Sequence, residues 1–520
     1  MSQIEETTRR ILWVDDEIEF LRAHILFLQD HGWIVETATN GHDALAMSAQ
    51  QGYDVVLLDE QMAGIDGLTT LQGLKKANPS LFVVMCTKSE EERVMEEAIG
   101  RNIDGYLTKP VNPNQIVNLC RSLFNARSLR TNHLTSRYVR QYAENKARLM
   151  GAPQPGMFEQ IHARLAQWDL DLSYSGSEGL IETHLGQHEE AEGAFTRFVE
   201  GNWYGWMGRD RFKPPFVWDF VPKRLVPRLR DGQKSVVIVL SGLRTDQWLA
   251  MQSLVEGMFE VRLEHQWSLL PGIPAVARLA MLGAASQKQL ASENAAWSWT
   301  DREAFQDPSF LRTLLRRGLG ADAPAESAID VEVVANAQQG RALARRADAL
   351  GRSPITLVVY EWASMLRELR EDGTATEADL PTTYDALRQR ARRLLAHAGL
   401  YHVLRRLHAD KLEVILTADT GSVLVDEAIE VFCNDEGPHD FRVQFGREIS
   451  CDERHAIFLE NPASAGLDAS RGPLALAKGP RFFTHPNKYQ YYGTAHQGRP
   501  VSGGLTMAEM LVPLCTLSPR

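Results

Sequence analysis

Four short apolar runs in the first 110 residues each lead into side chains that could take part in phosphoryl chemistry. Asp15 and Asp16 follow the first run, Asp59 follows Val-Val-Leu-Leu, Thr87 closes the third run, and Lys109 comes just after the fourth. Three carboxylates brought together raise one another's pKa unless a cation lies between them, and Mg²⁺ favours carboxylates together with a carbonyl and water. The set predicts phosphoryl transfer to Asp59, with a metal ion and Lys109 neutralising the phosphoryl oxygens and Thr87 donating its hydroxyl.

These side chains meet only if the runs are strands of one sheet. Apolar runs and helical segments alternate five times, which predicts a doubly wound α/β fold with a five-stranded parallel sheet. Right-handed crossovers bring the carboxyl ends of several such strands to one edge. An Asp that closes a single strand is more often a helix cap or a turn former, so the interpretation depends on the whole set. The predicted strands are Arg10–Val14, Trp33–Thr37, the run ending at Asp59, Leu81–Cys86 and Ile103–Leu107, and the predicted helices are Ile18–His31, Gly41–Gln50, Leu68–Ala77, Ser89–Gly100 and Pro113–Asn125.

Residues 1–126 resemble the receiver domain of two-component response regulators of the CheY type. The resemblance implies that a sensor histidine kinase phosphorylates Asp59. Met62-Ala63-Gly64 stands where the family usually has Met-Pro-Gly, a change that affects only the stiffness of the loop. The alternative is a receiver that folds without being phosphorylated. The site residues that the resemblance implies are Asp15, Asp16, Asp59 and the Gln61 carbonyl for Mg²⁺, Thr87 and Tyr106 as the switch pair, and Lys109 as a contact of the phosphoryl group.

Residues 127–232 predict a helical-bundle connector between the receiver and the C-terminal region. Charged and apolar positions near helical spacing indicate helices around 127–150, 157–172 and 178–199, with a break at Gly151-Ala-Pro-Gln-Pro-Gly156. His184 and His188 lie four residues apart, a spacing that could hold zinc. The sequence shows no third ligand for them, so a solvated helix face is the preferred interpretation. The Trp-rich segment from Trp203 to Trp218 is expected to pack the bundle against the next domain.

A second, larger α/β pattern occupies residues 233–520 and begins with the apolar strand Lys234–Ser241. Its segments Leu240-Ser-Gly-Leu-Arg-Thr-Asp-Gln-Trp248, Leu416-Thr-Ala-Asp-Thr-Gly421 and Ser502-Gly-Gly-Leu-Thr-Met-Ala-Glu-Met510 resemble the PglZ domain, a branch of the alkaline phosphatase superfamily. With the receiver and the bundle in front, the whole chain resembles response regulators of the PorX type, which are linked to type IX secretion.

The PglZ resemblance implies a hydrolytic site that this chain lacks. Related enzymes cleave phosphoesters with two zinc ions, about six Asp or His ligands and a threonine nucleophile. Only the acid Asp419 is clearly kept. We therefore predict that the effector keeps the fold, has lost the two-zinc chemistry and binds no zinc. The positions that depart from the family pattern are Ser241, Gly272, Pro274, Thr420 and Ser502, with Ser364 and Glu368 in place of an Asp and a His on the middle helix.

The alternative for this domain is a metal-dependent phosphodiesterase or phosphatase with rearranged ligands. His485 and His496 could join Asp419 and Glu361 in such a site. In the preferred interpretation the domain acts by protein–protein interaction, through a phosphorylation-dependent homodimer and a downstream partner that the resemblance suggests is related to secretion. Hydrolysis with bound zinc would favour the alternative.

Composition limits the other classes of function. With 67 acidic against 56 basic residues and a formal charge of −11, the chain has no general electrostatic footprint for nucleic acid or anionic membranes. We find no helix-turn-helix pattern, so direct DNA binding is not expected. The five cysteines form no C-x-x-C pair, the first residues show no signal peptide, and no apolar run approaches the ~20 residues that span a bilayer. A cytoplasmic protein without membrane insertion is expected.

Overall fold

The computed structural model divides the chain into two compact units, one ending at Ala143 and the other beginning at Glu144. Among the residues that the structure describes, no helix combines the length and apolar character needed to cross a membrane. The described residues are 9–78, 81–87, 103–173, 178–208, 213–286, 289, 304–368, 383–425, 427–432, 442–446, 448–460, 462, 473–484 and 500–520.

The first unit is built on a parallel sheet of five strands in the order β2-β1-β3-β4-β5. This confirms the predicted CheY-like fold. The predicted helix 89–100 lies outside the described residues. The strands are β1 (Arg10–Val14), β2 (Ile34–Ala38), β3 (Val55–Asp59), β4 (Phe82–Thr87) and β5 (Gly105–Thr108), and the helices are α1 (Arg22–Asp30), α2 (Gly41–Gln50), α3 (Gly67–Ala77) and α4 (Pro113–Leu149).

Both faces of this sheet are covered, because alternate residues of a strand point to opposite faces and both sets are apolar here. Val55 and Leu57 of β3 pack into one core, and Val56 and Leu58 pack into another. All five residues of β3 are buried, as expected for a parallel strand at the centre of an α/β sheet. The run therefore ends with a carboxylate at the carboxyl edge of the sheet.

Helix α4 covers both of the helices predicted at 113–125 and around 127–150. It is continuous over 37 residues, from Pro113 to Leu149. The two predicted segments merge because the stretch after Pro113 contains no Gly or Pro that would end a helix before Gly151.

The second unit combines two long helices with a mixed sheet of six strands in the order β7-β18-β10-β6-β9-β8. Strands β8, β9, β6 and β10 are parallel, and β18 runs antiparallel to both β10 and β7. The strands of this unit are β6 (Ser235–Leu240), β7 (Phe259–Trp267), β8 (Ile329–Val334), β9 (Ile355–Tyr360), β10 (Val414–Thr417), β11 (Val423–Leu424), β12 (Glu427–Glu430), β13 (Val443–Phe445), β14 (Ala456–Leu459), β15 (Leu474–Ala477), β16 (Arg481–Thr484), β17 (Pro500–Val501) and β18 (Leu511–Pro519).

The helices of this unit surround the mixed sheet, and the shorter strands pair in small sheets beside it. Strand β11 pairs with β17, β12 pairs with β16, and β13 and β14 flank β15. The α-helices are α5 (Pro155–Ser173), α6 (Glu178–Met207), α7 (Val226–Arg230), α8 (Thr245–Gln252), α9 (Pro274–Gly283), α10 (Pro308–Leu319), α11 (Ala337–Arg345), α12 (Trp362–Glu368), α13 (Tyr384–His397), α14 (Leu400–Ala409) and α15 (Met507–Met510).

Aromatic residues join the long helices to the sheet. Trp206 of α6 packs against Trp267 of β7 and against Phe216, with ring centroids 5.5 and 6.1 Å apart. Trp203 lies beside Phe216, and both tryptophans are almost fully buried in one continuous core. The predicted packing of the Trp-rich segment against the next domain is confirmed.

Candidate functional site

The carboxylates of Asp15 and Asp59 lie together at the carboxyl edge of the receiver sheet. Asp15 follows β1, Asp59 ends β3, and the two residues are 0% and 5% exposed. Lys109, just after β5, places Nζ 2.7 Å from Oδ2 of Asp15 and 2.8 Å from Oδ2 of Asp59. One ammonium thus bridges two carboxylates that the sequence separates by more than 40 residues.

Electrostatics at this edge favour a further cation. Burial raises the pKa of the Asp59 carboxyl, even though Lys109 acts to lower it. Burial acts to lower the pKa of Lys109, but its contacts with Asp15 and Asp59 outweigh that effect and raise it. Asp16 is exposed, and carboxylate oxygens of Asp15, Asp16 and Asp59 lie within 4.8 Å of one another. Three hard oxygen donors at this separation suit Mg²⁺.

The remaining predicted receiver residues are Gln61, Tyr106 and Thr87. Gln61 is exposed and lines a cleft of ≈ 620 Å³ together with Asp16, Asp59 and Asp66. Tyr106 lies in β5 and packs against a receiver core. Thr87 ends β4, but its side chain lies outside the described part of the chain.

In the second unit, Ser241, Glu361 and Asp419 lie just beyond the carboxyl ends of three neighbouring parallel strands, β6, β9 and β10. Backbone hydrogen bonds fix these ends together, because Ser241 N–H donates to the Tyr360 carbonyl at 2.9 Å and Gly242 N–H donates to the Thr420 carbonyl at 3.0 Å. This is the edge of the sheet at which α/β folds place their ligands.

The guanidinium of Arg278 lies between Glu361 and Asp419, the two acids of this set. Its Nη1 is 2.8 Å from Oε1 of Glu361, while Nη2 and Nε lie 3.0 and 3.1 Å from Oδ2 of Asp419. Nη1 also donates to the Phe305 carbonyl at 2.9 Å. The side chains of Arg278 and Asp419 are 2% and 0% exposed. Burial acts to lower the pKa of Arg278, but Glu361 and Asp419 raise it, so the buried acids already have a fixed cation.

Sequence reasoning missed Arg278. The available signal was a single arginine in the otherwise apolar helix Pro-Ala-Val-Ala-Arg-Leu-Ala-Met-Leu-Gly. An arginine inside such a helix must find buried carboxylates, because an unpaired buried charge is strongly unfavourable.

A side chain at position 272, in the loop before α9, would crowd Thr420. A Cβ atom at Gly272 would lie 2.9 Å from Oγ1 of Thr420, and that hydroxyl lies 3.2 Å from the carbonyl of Glu509. Pro274 begins α9, and Oγ of Ser502 donates to the Gly421 carbonyl at 2.6 Å. The structure thus gathers Thr420, Gly272 and Ser502 around the chain segment that carries Asp419.

The middle helix α12 carries two of the predicted positions, Ser364 and Glu368. Oγ of Ser364 accepts a hydrogen bond from Nη2 of Arg367 at 2.7 Å. The side chain of Glu368 lies outside the described part of the chain. His485 and His496, named in the alternative metal site, also lie outside it, so that alternative stays a prediction.

The prediction of a solvated face for His184 and His188 was wrong. The side chains are 4% and 29% exposed, and each Nε2 lies beside Oδ1 of Asp169, at 3.0 and 3.1 Å. Helix α6 buries Gln187, Ala191 and Phe195 against neighbouring elements, and the two histidines extend this face by one turn. A third polar partner therefore exists, on α5 rather than nearby in sequence.

Three family models match the chain in order. A response regulator receiver domain matches residues 11–121, a PorX response regulator linker domain matches 128–207, and a BREX system PglZ alkaline phosphatase-like domain matches 220–517. The chain belongs to the PglZ alkaline phosphatase-like family. The order of the three regions is that of a PorX-type response regulator, which confirms the family resemblance seen in the sequence.

Curated relatives share shorter stretches with this PorX-type chain. A stretch of 119 residues is 34% identical to the transcriptional regulatory protein ResD of Bacillus subtilis, covering 22% of this chain and 48% of the relative. A stretch of 211 residues is 26% identical to the alginate biosynthesis transcriptional regulatory protein AlgB of Pseudomonas putida, covering 41% of this chain and 44% of the relative. The chain thus spans less than half the length of these curated relatives.

Solved structures similar to the PorX-type chain include the chemotaxis response regulator CheY4 of Vibrio cholerae. It is 27% identical, with 22% of this chain and 99% of that chain covered and a TM-score of 0.22. A response regulator receiver domain protein from Clostridium thermocellum is 26% identical, with 23% and 98% covered and a TM-score of 0.23.

Proposed function

We propose that this response regulator is controlled by phosphorylation of Asp59 and that its PglZ domain acts by binding another protein rather than by zinc-dependent hydrolysis. The observation that supports the second part most directly is Arg278, whose guanidinium occupies the space between Asp419 and Glu361.

The receiver residues suggest how the phosphoryl group is accepted. A carboxylate oxygen of Asp59 attacks the phosphorus of the kinase phosphohistidine, the P–N bond breaks, and the electron pair leaves with the imidazole. Lys109 is already within 2.8 Å of the Asp59 carboxylate, so its ammonium can shift to a phosphoryl oxygen. Asp15, Asp16, Asp59 and the Gln61 carbonyl would hold Mg²⁺, which when bound neutralises charge on the phosphoryl oxygens. Thr87 and Tyr106 would register the change.

Charge balance argues against a two-zinc site in the PglZ domain. Zinc at Asp419 would have to displace the Arg278 guanidinium, which would then be buried without its Asp419 partner. Removing one partner from a buried ion pair costs about 3–5 kcal/mol. No imidazole stands at position 420 and no hydroxyl at position 272. A phospho-threonine intermediate therefore has no nucleophile in this loop, and the domain is proposed to be a pseudoenzyme.

The output of the response regulator would then be a change in how its chains associate with each other and with a partner protein. Phosphorylation of a receiver can reorganise the surface that pairs two copies, and a homodimer would present two PglZ domains to a partner. We propose a downstream protein partner, secretion-related by analogy with the PorX type, and a cytoplasmic site of action. The acidic balance of the chain argues against direct DNA binding, although the curated relatives are named as transcriptional regulators.

The receiver part is tested by labelling with acetyl phosphate and Mg²⁺. Wild type should incorporate one phosphoryl group, and Asp59→Ala should incorporate none. Asp54→Ala is the matched control, since Asp54 comes just before β3, at the end of the strand opposite to Asp59, and should leave labelling intact. Equal labelling of wild type and Asp59→Ala would contradict the proposed acceptor.

The effector part is tested by hydrolysis of bis(p-nitrophenyl) phosphate with added zinc, before and after phosphorylation. We expect no turnover above the buffer rate. A metal-dependent phosphodiesterase is the second candidate, because Glu361 and Asp419 still share the family's sheet edge. Turnover that disappears in Asp419→Asn would establish that candidate and refute the pseudoenzyme.

A further inference from the structure

Two histidines and one aspartate converge between the long helices α5 and α6. Nε2 of His184 and Nε2 of His188 lie 3.0 and 3.1 Å from the same oxygen, Oδ1 of Asp169. The two imidazole rings are 4.7 Å apart between centroids and inclined at 76°. All three potential ligand atoms lie within 4.8 Å of one another.

This convergence is a consequence of helix geometry. His184 and His188 are four residues apart and thus share one face of α6. Asp169 continues the row of α5 residues Phe158, His162 and Leu165, which are buried. The packing of the two helices therefore aims one carboxylate at two imidazoles.

We propose that Asp169, His184 and His188 bind one Zn²⁺ ion. In a tetrahedral zinc site with metal–ligand distances of about 2.0–2.2 Å, neighbouring ligand atoms are separated by roughly 3.3 Å. The observed nitrogen–oxygen separations of 3.0 and 3.1 Å are close to that value. A small relaxation of the side chains would admit the ion.

The ligand types select a transition ion. Two imidazole nitrogens and one carboxylate suit Zn²⁺ and other borderline metals, whereas Mg²⁺ and Ca²⁺ favour oxygen ligands throughout. The side chains of His188 and Asp169 are 29% and 18% exposed, so solvent can reach the group and a water molecule can complete the coordination.

The position of the three ligands next to the PglZ domain suggests a structural role for the zinc ion. Glu192 stands one turn beyond His188 on α6, and its carboxylate accepts the backbone N–H of Met507 at 3.0 Å. Arg388 of α13 donates to the Asp169 carbonyl at 3.4 Å and to Oγ of Ser173 at 2.9 Å. Both helices that carry the ligands thus form hydrogen bonds with the PglZ domain. Zinc would crosslink the two helices close to these hydrogen bonds.

The test uses the full-length chain stripped with a chelator and titrated with zinc in competition with a chromophoric chelator. Wild type should bind one zinc per chain. Loss of a side chain that only hydrogen-bonds to a metal ligand weakens metal binding ~10–100-fold. Loss of a direct ligand should cost at least as much, so His188→Gln and Asp169→Asn should weaken zinc binding at least ~10-fold. His402→Gln, at an exposed histidine on α14, is the matched control and should bind as wild type does.

A second readout separates coordination from a purely structural role of the histidines. Cobalt(II) should give wild type and His402→Gln the visible absorption of a tetrahedral site, and should give none to His188→Gln with unchanged circular dichroism. Equal zinc affinity of wild type and His188→Gln would overturn the proposal. Zinc that is lost in Asp419→Asn and kept in His188→Gln would place the metal in the PglZ domain, refuting both this site and the pseudoenzyme. Zinc that is lost only in the ligand variants would leave the pseudoenzyme standing.

Discussion

Lys109 and Arg278 each lie between two carboxylates at the carboxyl edge of a sheet, yet their chemistry differs. The Lys109 side chain is 13% exposed and carries a compact ammonium on a flexible stem. The Arg278 side chain is 2% exposed, and its planar guanidinium is held by Glu361, Asp419 and a carbonyl. Lys109 can therefore exchange a carboxylate for an incoming phosphoryl oxygen, whereas Arg278 is fixed as a structural counter-ion.

Replacing this counter-ion should destabilise the second unit. Arg278→Met keeps the approximate volume but leaves two acids without their cation, so the free energy of unfolding should fall by about 3–5 kcal/mol. Adding Asp419→Asn should recover part of the loss, because one of the two unpaired charges is removed. Chemical denaturation followed by tryptophan fluorescence measures both changes.

The control for Arg278→Met is Arg230→Met, which breaks an exposed ion pair with Asp322. Because water screens such pairs, this variant should unfold like wild type. If Arg278→Met were as stable as Arg230→Met, the buried pairing would contribute little and the charge argument against zinc would fail.

His265 predicts a pH dependence. Burial lowers the pKa of its imidazole to about 4, from an ordinary value of 6.5. The folded chain thus prefers the neutral ring, and this preference stabilises the fold above about pH 6.5 and is lost as the pH falls towards 4. Between pH 7.5 and pH 5, wild type should lose about 2 kcal/mol more stability than His265→Gln. Parallel pH dependence of the two proteins in denaturant titrations would contradict the assignment.

At the scale of elements, the close contact of α3 with the end of β3 positions Asp59. A Cβ atom at Gly67 would lie 2.2 Å from the Asp59 carbonyl oxygen, so only glycine permits this approach. Gly67→Ala should displace the end of β3 and move the Asp59 carboxylate away from the position for in-line attack on the phosphorus. Labelling by acetyl phosphate should slow about 10–100-fold.

Gly52→Ala is the matched control, because a Cβ atom there meets no heavy atom within 4 Å. Its labelling rate should equal that of wild type. Equal rates for Gly67→Ala and wild type would indicate that the end of β3 tolerates displacement.

The strands and helices of the receiver were predictable because each is defined by local patterns. Val55 to Leu58 indicate a buried strand, and the glycines after it indicate a turn. The contacts that decide the chemistry of the second unit are not local. Asp169 meets His184 and His188 only through the packing of α5 on α6, and Arg278 meets Asp419 across 141 residues. Spacing within one segment cannot reveal such pairs, so the sequence predicted neither the arginine nor the third polar partner.

At the scale of the whole molecule, helix α4 belongs to both compact units, since it runs from Pro113 to Leu149 and the division falls after Ala143. The helix therefore connects the two units along the chain. The helix is long enough, at 37 residues, to pair with a second copy as well.

Phosphorylation is accordingly expected to change the oligomeric state. Wild type treated with acetyl phosphate and Mg²⁺ should shift to twice its unmodified mass in light scattering coupled to gel filtration, because an aspartyl phosphate adds negative charge that reorganises the receiver surface. Asp59→Ala should keep the unmodified mass under the same treatment, and Asp54→Ala should shift as wild type does. If labelled wild type kept the mass of one chain, the signal would have to pass within a single molecule, and the partner-binding surface of the PglZ domain would have to be exposed without pairing.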